Sequence, residues 1–345
     1  MKILIYSMVG LKKSQGVGNV ALNIAERLNN FEIIYLYPPN KKWLYYFFLS
    51  PIWFFFKVRK INPDVVMVHS LEASFDPVIA KKIFFLKYGI LTVAHGSNKS
   101  VFDVYLSEKK KGNVKGSAIF NLSLRISNLR SFFSKFSDIV TAISFSVKKE
   151  LKKQYGINAI VVHNGGDFKQ SRKKRKKLDK ILFVGNSYWR KGLFYLILAN
   201  NLLKKPKEIV VVGLASGPEE ELRGIVNCTN VHFKKQMSRK ALWKIYLECD
   251  LFAMPSLYES FGLVYLEALA TKMPVIASKG TGAEDIIKTG FNGVLVRKAY
   301  VGDIKAAIIY CEKNIKRLSN NAKLQPDFSW EIIAKEYQSL LESLC

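Results

Sequence analysis

Short apolar runs rich in Val and Ile alternate with longer amphipathic segments along nearly the whole chain. Runs of this kind are typical of strands that are covered on both faces, and the segments between them have helical spacing. The pattern therefore predicts parallel sheets with helices on each side. The predicted strands are residues 2–9, 31–37, 65–69, 90–96, 138–144 and 159–165 in the first half, and 180–186, 208–215, 231–235, 250–256, 274–278 and 293–296 in the second.

The same alternation occurs twice, which indicates an α/β fold of two doubly wound parallel-sheet domains in tandem. We place the first domain at residues 1–166 and the second at 181–327. The basic, polar segment "DFKQSRKKRKKLDK" (167–180) between them is interpreted as a linker. Because ligands of such sheets bind beyond the carboxyl ends of the strands, we expect the site in the cleft between the domains.

The net charge of the chain limits the classes of partner that we expect. It has 345 residues, with 54 Lys and Arg against 27 Asp and Glu, a net charge of +27. This excess indicates nucleic acid, anionic lipid or phosphorylated ligands, with a merely lysine-rich proteome as the alternative. The four cysteines are scattered without paired spacing, which favours a reducing, cytosolic setting. The opening "MKILIYSMVG" is interpreted as a buried strand rather than a signal peptide.

Two glutamates interrupt the apolar stretch "PSLYESFGLVYLEALA" (255–270). The pattern predicts a strand, a turn and a helix with Ser260 as N-cap, so Glu259 precedes the helix and Glu267 lies inside it. Their separation along a helix is about 12 Å. This is too long for the carboxylate pair of a glycosidase, and it matches the length of a nucleotide sugar. Two ordinary surface glutamates are the alternative.

Cationic and N–H groups near the predicted strand ends suit a diphosphate. In "VGNSYWRKG" (184–192), Arg190 and Lys191 follow the first strand of the second half and can neutralise its charge. The N–H groups of Phe261, Gly262 and Leu263 begin the predicted helix, whose dipole favours an anion. Gly262 also lets the backbone approach a ligand closely.

A glycine-containing turn, "SQGVGN" (14–19), follows the first strand of the chain. Gly16 and Gly18 open a helix whose N–H groups can also hold phosphate. The turn lacks the third glycine and the later acidic residue of a dinucleotide fingerprint. A Rossmann oxidoreductase is therefore disfavoured.

With these motifs, the chain resembles the retaining, nucleotide-sugar-dependent glycosyltransferases of family 4, which have the GT-B fold. The resemblance extends over nearly the whole chain and is most specific in "PSLYESFGLVYLEALATKMPVIASKGTGAEDII" (255–287). It implies that Glu259 contacts the donor sugar and that Glu267 contacts the nucleotide ribose. It also implies that Arg190 and Lys191 hold the diphosphate, beside Phe261, Gly262 and Leu263.

The resemblance also assigns residues outside the second domain. It implies that the Gly16 loop closes on the phosphates and that His95, in "VAHGSN", lies beside the reaction centre. A satisfied histidine at a strand end is the alternative for His95, and His69 is interpreted as structural. "FSWEIIAKEYQSLLESL" (328–344) resembles the last helix of the family, so we expect 328–345 to pack back on the first domain.

Three positions depart from the family pattern. Asn186 stands where the family usually has an arginine or a similar group, so diphosphate binding is expected to depend more on Arg190 and Lys191. His163 replaces a proline, and Gly166 replaces a branched residue near the hinge. None of these changes removes a group that the chemistry requires.

The sequence also suggests a membrane surface. The uninterrupted apolar core of "KKWLYYFFLSPIWFFFKVRK" (41–60) has 14 residues, fewer than the ~20 of a spanning helix. Its Trp, Tyr and flanking cations suit the membrane interface, and a core helix is the alternative. Together with "EKKKGNVK" (108–115), this segment favours an anionic membrane surface as a partner.

We therefore expect a cytoplasmic hexosyltransferase, peripheral on the inner face of the membrane, acting in polysaccharide, glycolipid or glycan assembly. It would move a hexose-type sugar from a nucleotide diphosphate sugar to a saccharide or lipid-linked acceptor. Cations and N–H groups supply the stabilisation of the leaving diphosphate, so we expect neither a metal nor another cofactor.

Three alternatives to this interpretation are an epimerase, a non-catalytic nucleotide-sugar binder, and a nucleic-acid binder. The first two would use the same fold. The third is suggested by "RKKRKK" (172–177), but no nucleic-acid-binding motif accompanies the charge, so we expect no nucleic-acid partner.

Overall fold

The computed structural model describes residues 1–8, 10–11, 16–37, 43–114, 118–171 and 173–344, apart from the side chains of 43–48 and 118–119. By their contacts these residues form two compact units. Unit 1 contains Met1–Phe102, Ser117–Gly165 and Asp327–Cys345, and unit 2 contains Asp103–Gly116 and Gly166–Pro326. Residues 103–116, which the sequence places in the first domain, thus group with unit 2.

Unit 1 is built on a parallel sheet of six strands. The strands are β1 (Lys2–Tyr6), β2 (Glu32–Leu36), β3 (Val65–His69), β4 (Gly89–Ala94), β5 (Ile139–Ala142) and β6 (Ile160–Val161). Their order is β2-β1-β3-β4-β5-β6. The helices that follow them are α1 (Gly16–Ala25), α2 (Trp43–Ile61), α3 (Phe75–Ile83), α4 (Asn98–Lys110), α5 (Ala118–Ser131) and α6 (Phe145–Tyr155). Residues 103–110 of α4 belong to unit 2.

Unit 2 repeats the arrangement. Its strands are β7 (Lys180–Val184), β8 (Glu208–Val212), β9 (Val231–Lys234), β10 (Leu251–Met254), β11 (Val275–Ser278) and β12 (Gly293–Val296), in the order β12-β11-β10-β7-β8-β9. Its helices are α7 (Leu193–Asn201), α8 (Ser216–Ile225), α9 (Arg239–Glu248), α10 (Leu263–Ala270) and α11 (Val301–Asn321).

The predicted fold class is confirmed. Each of the twelve predicted apolar runs overlaps a strand, and the strands pair in parallel in both sheets. Every residue of β3, β10 and β11 is buried. Helices on both faces require such continuous apolar strands, because neither face of the sheet meets water.

Helix α12 (Trp330–Glu342) lies in unit 1, although it follows unit 2 in the chain. The Ser329 side chain caps it by accepting a hydrogen bond from the Ile332 N–H at 3.3 Å. Its inner face, which includes Tyr337, is buried, and the helix packs against α1. The Tyr337 hydroxyl lies 3.4 Å from Thr141 Oγ1 on β5. The helix is therefore part of the unit 1 core.

Helix α2 has one face in the core and another face exposed, so it is compatible with both interpretations of segment 41–60, a core helix and a membrane-interface helix. Phe54 and Val58 are buried in the core of unit 1, whereas Ile52 and Phe56 are exposed. Lys41 and Lys42 lie outside the described residues. None of the described helices is long and apolar enough to cross a bilayer.

The basic segment 167–180 packs on unit 2 rather than forming a free connection. Arg175 is only 2% exposed, and its guanidinium donates to the Tyr246 carbonyl at 2.8 Å. The backbone N–H of Arg175 donates to Ser319 Oγ at 2.8 Å. Leu178, three residues further along the segment, is also buried. Arg172 lies outside the described residues.

A buried ion pair and two hydroxyl groups that bind it join four elements of unit 1. Arg130 of α5 lies 2.8 Å from the carboxylate of Asp76 on α3. The hydroxyls of Ser50 on α2 and Tyr6 on β1 donate to the same carboxylate at 2.6 and 2.5 Å. Burial raises the pKa of Asp76, and the Arg130 charge opposes this rise. Removing either charged partner would therefore leave the other charge buried without its counter-charge.

Candidate functional site

Two strand-to-helix turns lie side by side at the carboxyl edge of the unit 2 sheet. Strands β7 and β10 are neighbours, and the chain leaves them in the turns 185–192 and 255–262. The strand order changes direction between β7 and β10. Such a switch point is where doubly wound sheets bind ligands.

Backbone contacts fix the two turns to each other. The Arg190 carbonyl accepts the N–H groups of Leu257 at 2.9 Å and Tyr258 at 3.4 Å. Gly192 has φ +75°, and a Cβ placed there would lie 2.1 Å from the Pro255 carbonyl oxygen. Both the backbone conformation and the close approach therefore require glycine.

A buried ion pair connects the side chains of the two turns. The Lys191 ammonium donates to the Glu259 carboxylate, and the two side chains are 14% and 7% exposed. Burial by itself would raise the pKa of Glu259, but the Lys191 and Arg190 charges and the Phe261 N–H outweigh it. The pKa of Glu259 therefore lies below its ordinary value, and the carboxylate is ionised at neutral pH.

The helix after Glu259 begins later than the sequence indicates. Helix α10 begins at Leu263 with Gly262 as N-cap, so the predicted Ser260 N-cap is wrong. Gly262 has φ +91°, and a Cβ there would lie 2.4 Å from the Tyr265 ring. The chain therefore enters the helix through a glycine in the left-handed conformation, two residues after the serine that was expected to cap it.

The loop after β11 supports the Glu259 turn from the other side. The Gly282 N–H donates to the Glu259 carbonyl at 2.9 Å. A Cβ on Gly282 would lie 2.1 Å from the Ser260 carbonyl oxygen, so only glycine fits this contact. Gly282 was not predicted as a site residue, although its place in "KGTGAED" (279–285), next to the predicted strand 274–278, is a local signal.

Glu267 lies beside a separate small cavity of unit 2. The Tyr246 hydroxyl donates to Glu267 at 2.8 Å, and an Arg239 guanidinium nitrogen lies 3.7 Å from the carboxylate. Burial raises the pKa of Glu267, and Tyr246 and Arg239 oppose the rise. The cavity has a volume of about 280 Å³. Its lining is Asp167, Phe168, Lys169, Arg239, Lys240, Leu242, Trp243, Tyr246 and Glu267.

The rings of Phe168 and Trp243 lie nearly parallel in this lining, with centroids 6.2 Å apart and an angle of 15° between their planes. Aromatic faces and the partly exposed Glu267 carboxylate suit a nucleoside, which has a flat base and ribose hydroxyls. The sequence did not predict four residues of this lining: Tyr246, Arg239, Phe168 and Trp243. Contacts between separate elements bring them to Glu267, and no local pattern indicates such contacts.

Residues 103–114 pack next to the turn that carries Arg190 and Lys191. Glu108 is 1% exposed and accepts hydrogen bonds from the Tyr195 hydroxyl at 2.9 Å and from Lys111 at 2.8 Å. The Tyr188 hydroxyl donates to the Asn113 carbonyl at 3.0 Å. The predicted membrane segment 108–115 thus contributes Glu108, Lys111 and Asn113 to unit 2, and Lys115 lies outside the described residues.

The two predicted residues of unit 1 do not contact each other in any described interaction. Gly16 is the exposed first residue of α1. His95 follows β4, and its Nε2 lies 3.1 Å from Nδ1 of His69. Burial lowers the pKa of His95 to about 4 and also lowers that of His69. Both rings are therefore neutral at pH 7.

Two family models match consecutive parts of the chain. The model described as Glycosyltransferase Family 4 matches residues 19–170, and the model described as Glycosyl transferases group 1 matches residues 166–325. The chain belongs to the family 4-like GT-B glycosyltransferases. Comparisons with whole proteins agree with this assignment.

The glycosyltransferase is 28% identical over 342 residues to an uncharacterized glycosyltransferase of Methanocaldococcus jannaschii, with 91% of this chain and 83% of that protein covered. Among solved structures, it is similar to the sucrose-phosphate synthase of Thermosynechococcus elongatus, with a TM-score of 0.80, 18% identity, and 99% and 98% of the two chains covered. Anabaena HepE in complex with UDP-glucose gives a TM-score of 0.74 at 18% identity over 100% of both chains. At these identities the structures show the GT-B fold.

Proposed function

We propose that this glycosyltransferase transfers a hexose-type sugar, with retention of anomeric configuration, from a nucleotide diphosphate sugar to a saccharide or lipid-linked acceptor. The observation that carries the proposal is the buried Lys191–Glu259 pair at the switch point of unit 2. The nucleotide sugar bound by the HepE structure supports the donor class. Retention rests on the resemblance to family 4.

The cations of the turn 185–192 have the charge that the leaving group needs. Transfer breaks the bond between the anomeric carbon and a phosphate oxygen, and the electron pair goes to the diphosphate. Arg190 and Lys191 would stabilise this developing charge without a metal, because fixed cations in a partly buried site lower such a barrier strongly. Glu259 would hold the Lys191 ammonium in place and accept hydrogen bonds from the donor sugar.

The cavity beside Glu267 would take the nucleoside. Its volume of about 280 Å³ is just below the range of about 300–1,000 Å³ for ligand pockets, which suits a nucleoside rather than the whole donor. Glu267 would accept hydrogen bonds from the ribose hydroxyls, and the Phe168 and Trp243 rings would pack against the base. In unit 1, Gly16 and His95 keep the roles that the resemblance implies.

A thermal-shift screen tests the donor assignment. UDP-, GDP- and ADP-sugars are added without metal to the wild-type enzyme and to the Glu267→Ala and Lys191→Ala variants. We expect one base to raise the melting temperature of the wild type, with a smaller shift in both variants because each loses a contact to the donor. If no nucleotide sugar raises the melting temperature, the donor assignment is wrong.

The neutral state of His95 predicts the pH dependence of transfer. Because the pKa of His95 is about 4, kcat/KM should show no histidine step between about pH 6 and 8. Stability should fall as the pH drops below about 6.5, because the unfolded state then binds protons that the folded state does not. Profiles of kcat/KM against pH for the wild type and His95→Gln check the first expectation. The free energies of unfolding of the same two proteins over this pH range check the second. A step near pH 6.5 that is present only in the wild type would contradict the first.

We also propose that the enzyme works at an anionic membrane surface. The exposed face of α2 and the excess of basic residues support this part of the proposal.

A further inference from the structure

Phe85 stands at a helix end where glycine is strongly favoured. Helix α3 ends with the Leu86 N–H donating to the Lys81 carbonyl at 3.2 Å, the hydrogen bond of a Schellman motif. Phe85 therefore occupies the left-handed position, with φ +51°, and its side chain is 88% exposed. A strained backbone and a ring in water are both unfavourable for the isolated chain, so an observed outlier of this kind points to a function.

Neighbouring side chains extend the exposed ring into a surface, which we call the aromatic–basic patch: Lys82, Phe84, Phe85, Phe132, Lys135 and Phe136. Phe84, Phe132 and Phe136 are each about 40% exposed, at 38%, 42% and 41%. Lys82 Nζ lies 3.5 Å from the ring centre of Phe136, and Lys135 Nζ lies 3.8 Å from that of Phe132. The Phe84 ring stacks on Phe55 of α2 at 3.7 Å, so the patch continues onto that helix.

The chain segments that form the patch contain no acidic residue. Residues 33–63, 77–102 and 109–137 contain no Asp or Glu, and these stretches supply α2, the end of α3 and the turn Phe132–Phe136. Asp138, which follows them, is paired with Lys81 at 2.9 Å. A surface of exposed rings and cations, whose adjoining carboxylate Asp138 is neutralised by Lys81, is complementary to anionic lipid. The rings enter the interface while the remaining ammonium groups meet phosphate.

We propose that the aromatic–basic patch docks unit 1 on an anionic bilayer, with Phe85 inserted at the boundary between headgroups and acyl chains. Lys82 and Lys135 contact lipid phosphates at the level of the rings. This inference rests on the membrane part of the proposed function and assigns it to named residues. It moves the contact away from segment 108–115, part of which packs on unit 2.

Phe85→Gly separates binding from folding. Glycine suits the left-handed position, so the variant should melt at the same or a higher temperature than the wild type. Its binding to vesicles of phosphatidylcholine mixed with phosphatidylglycerol should weaken about tenfold, because one inserted phenyl ring is lost. The matched control is Phe291→Gly, which removes a 49% exposed phenylalanine from unit 2 and should bind like the wild type.

Charge reversal tests the basic part of the patch. Lys82→Glu with Lys135→Glu should weaken binding to the anionic vesicles by about 100-fold or more at low salt. Lys313→Glu with Lys316→Glu makes the same charge change on exposed residues of α11 and should have a much smaller effect. Co-sedimentation with vesicles at low and high salt measures all four proteins and the wild type.

The outcomes are distinguishable. Wild-type binding that Phe85→Gly leaves unchanged would overturn this inference and leave the membrane part of the proposed function standing. Wild-type protein that ignores anionic vesicles would overturn both. A Phe85→Gly variant that changes the oligomeric state without changing vesicle binding would show a patch for a second copy instead. Donor-induced thermal shifts should be the same in every patch variant.

Discussion

Replacing Lys191 with methionine is expected to lower kcat/KM for sugar transfer by about 100- to 1,000-fold. The change removes a cation from the turn that we assign to the diphosphate. It also leaves the Glu259 carboxylate, which is 7% exposed, without its ammonium partner. Initial rates at several donor concentrations separate the loss in kcat from the loss in KM.

The contributions of the Lys191–Glu259 pair to folding stability and to sugar transfer can be measured separately. Lys191→Met should also lower the melting temperature, because an ionised carboxylate is left buried beside fewer partners. The double variant Lys191→Met/Glu259→Gln should recover stability but not activity, since the amide needs no counter-charge. Lys313→Met on exposed α11 serves as the control. Wild-type kcat/KM, within about threefold, in a folded Lys191→Met enzyme would refute the assigned role.

Replacing Arg130 with methionine is expected to destabilise unit 1 by about 3–5 kcal/mol. Asp76 is fully buried and, among the residues that the structure describes, would keep the Ser50 and Tyr6 hydroxyls as its side-chain partners. The free energy of unfolding is measured with urea, following the transition of unit 1. The Arg130→Met/Asp76→Asn variant should recover much of the loss, because neither remaining side chain is charged.

The deficit of Arg130→Met should depend on pH. Without Arg130, burial raises the pKa of Asp76 further, so the ionised carboxylate is penalised above that pKa and the penalty falls as the pH is lowered. The loss should therefore be smaller in mildly acidic buffer than at neutral pH. A loss below about 1 kcal/mol at neutral pH would show that the network relaxes without Arg130.

The sequence predicted the strands because their evidence is local. Buried parallel strands need continuous apolar runs, and each run can be recognised without knowing its neighbours. Lys191 and Glu259 were also predictable, because each follows a strand and carboxyl ends of parallel strands share one edge. The resemblance to family 4 then placed both residues in one site.

What the sequence could not predict depends on contacts between distant segments. Glu108 stands in a run of lysines and looks solvated, yet it is buried against Tyr195. Arg175 stands in an equally basic run and is buried against α9. Helical periodicity placed the start of α10 at Ser260, because it does not detect that Gly262 has a positive φ. Phe85 was overlooked because the apolar run 83–86 is ordinarily interpreted as core.

The position of α12 links the folding of unit 1 to the order of protein synthesis. Unit 1 includes residues from 327 onward, whereas residues 166–326, roughly 160 in number, belong to unit 2. A ribosome that adds about 5–20 residues per second needs about ten to thirty seconds for that stretch. During this interval the nascent first unit lacks Tyr337 and the other buried side chains of its last helix. Its unfinished core is then available to chaperones, and slower translation of 166–326 prolongs that exposure.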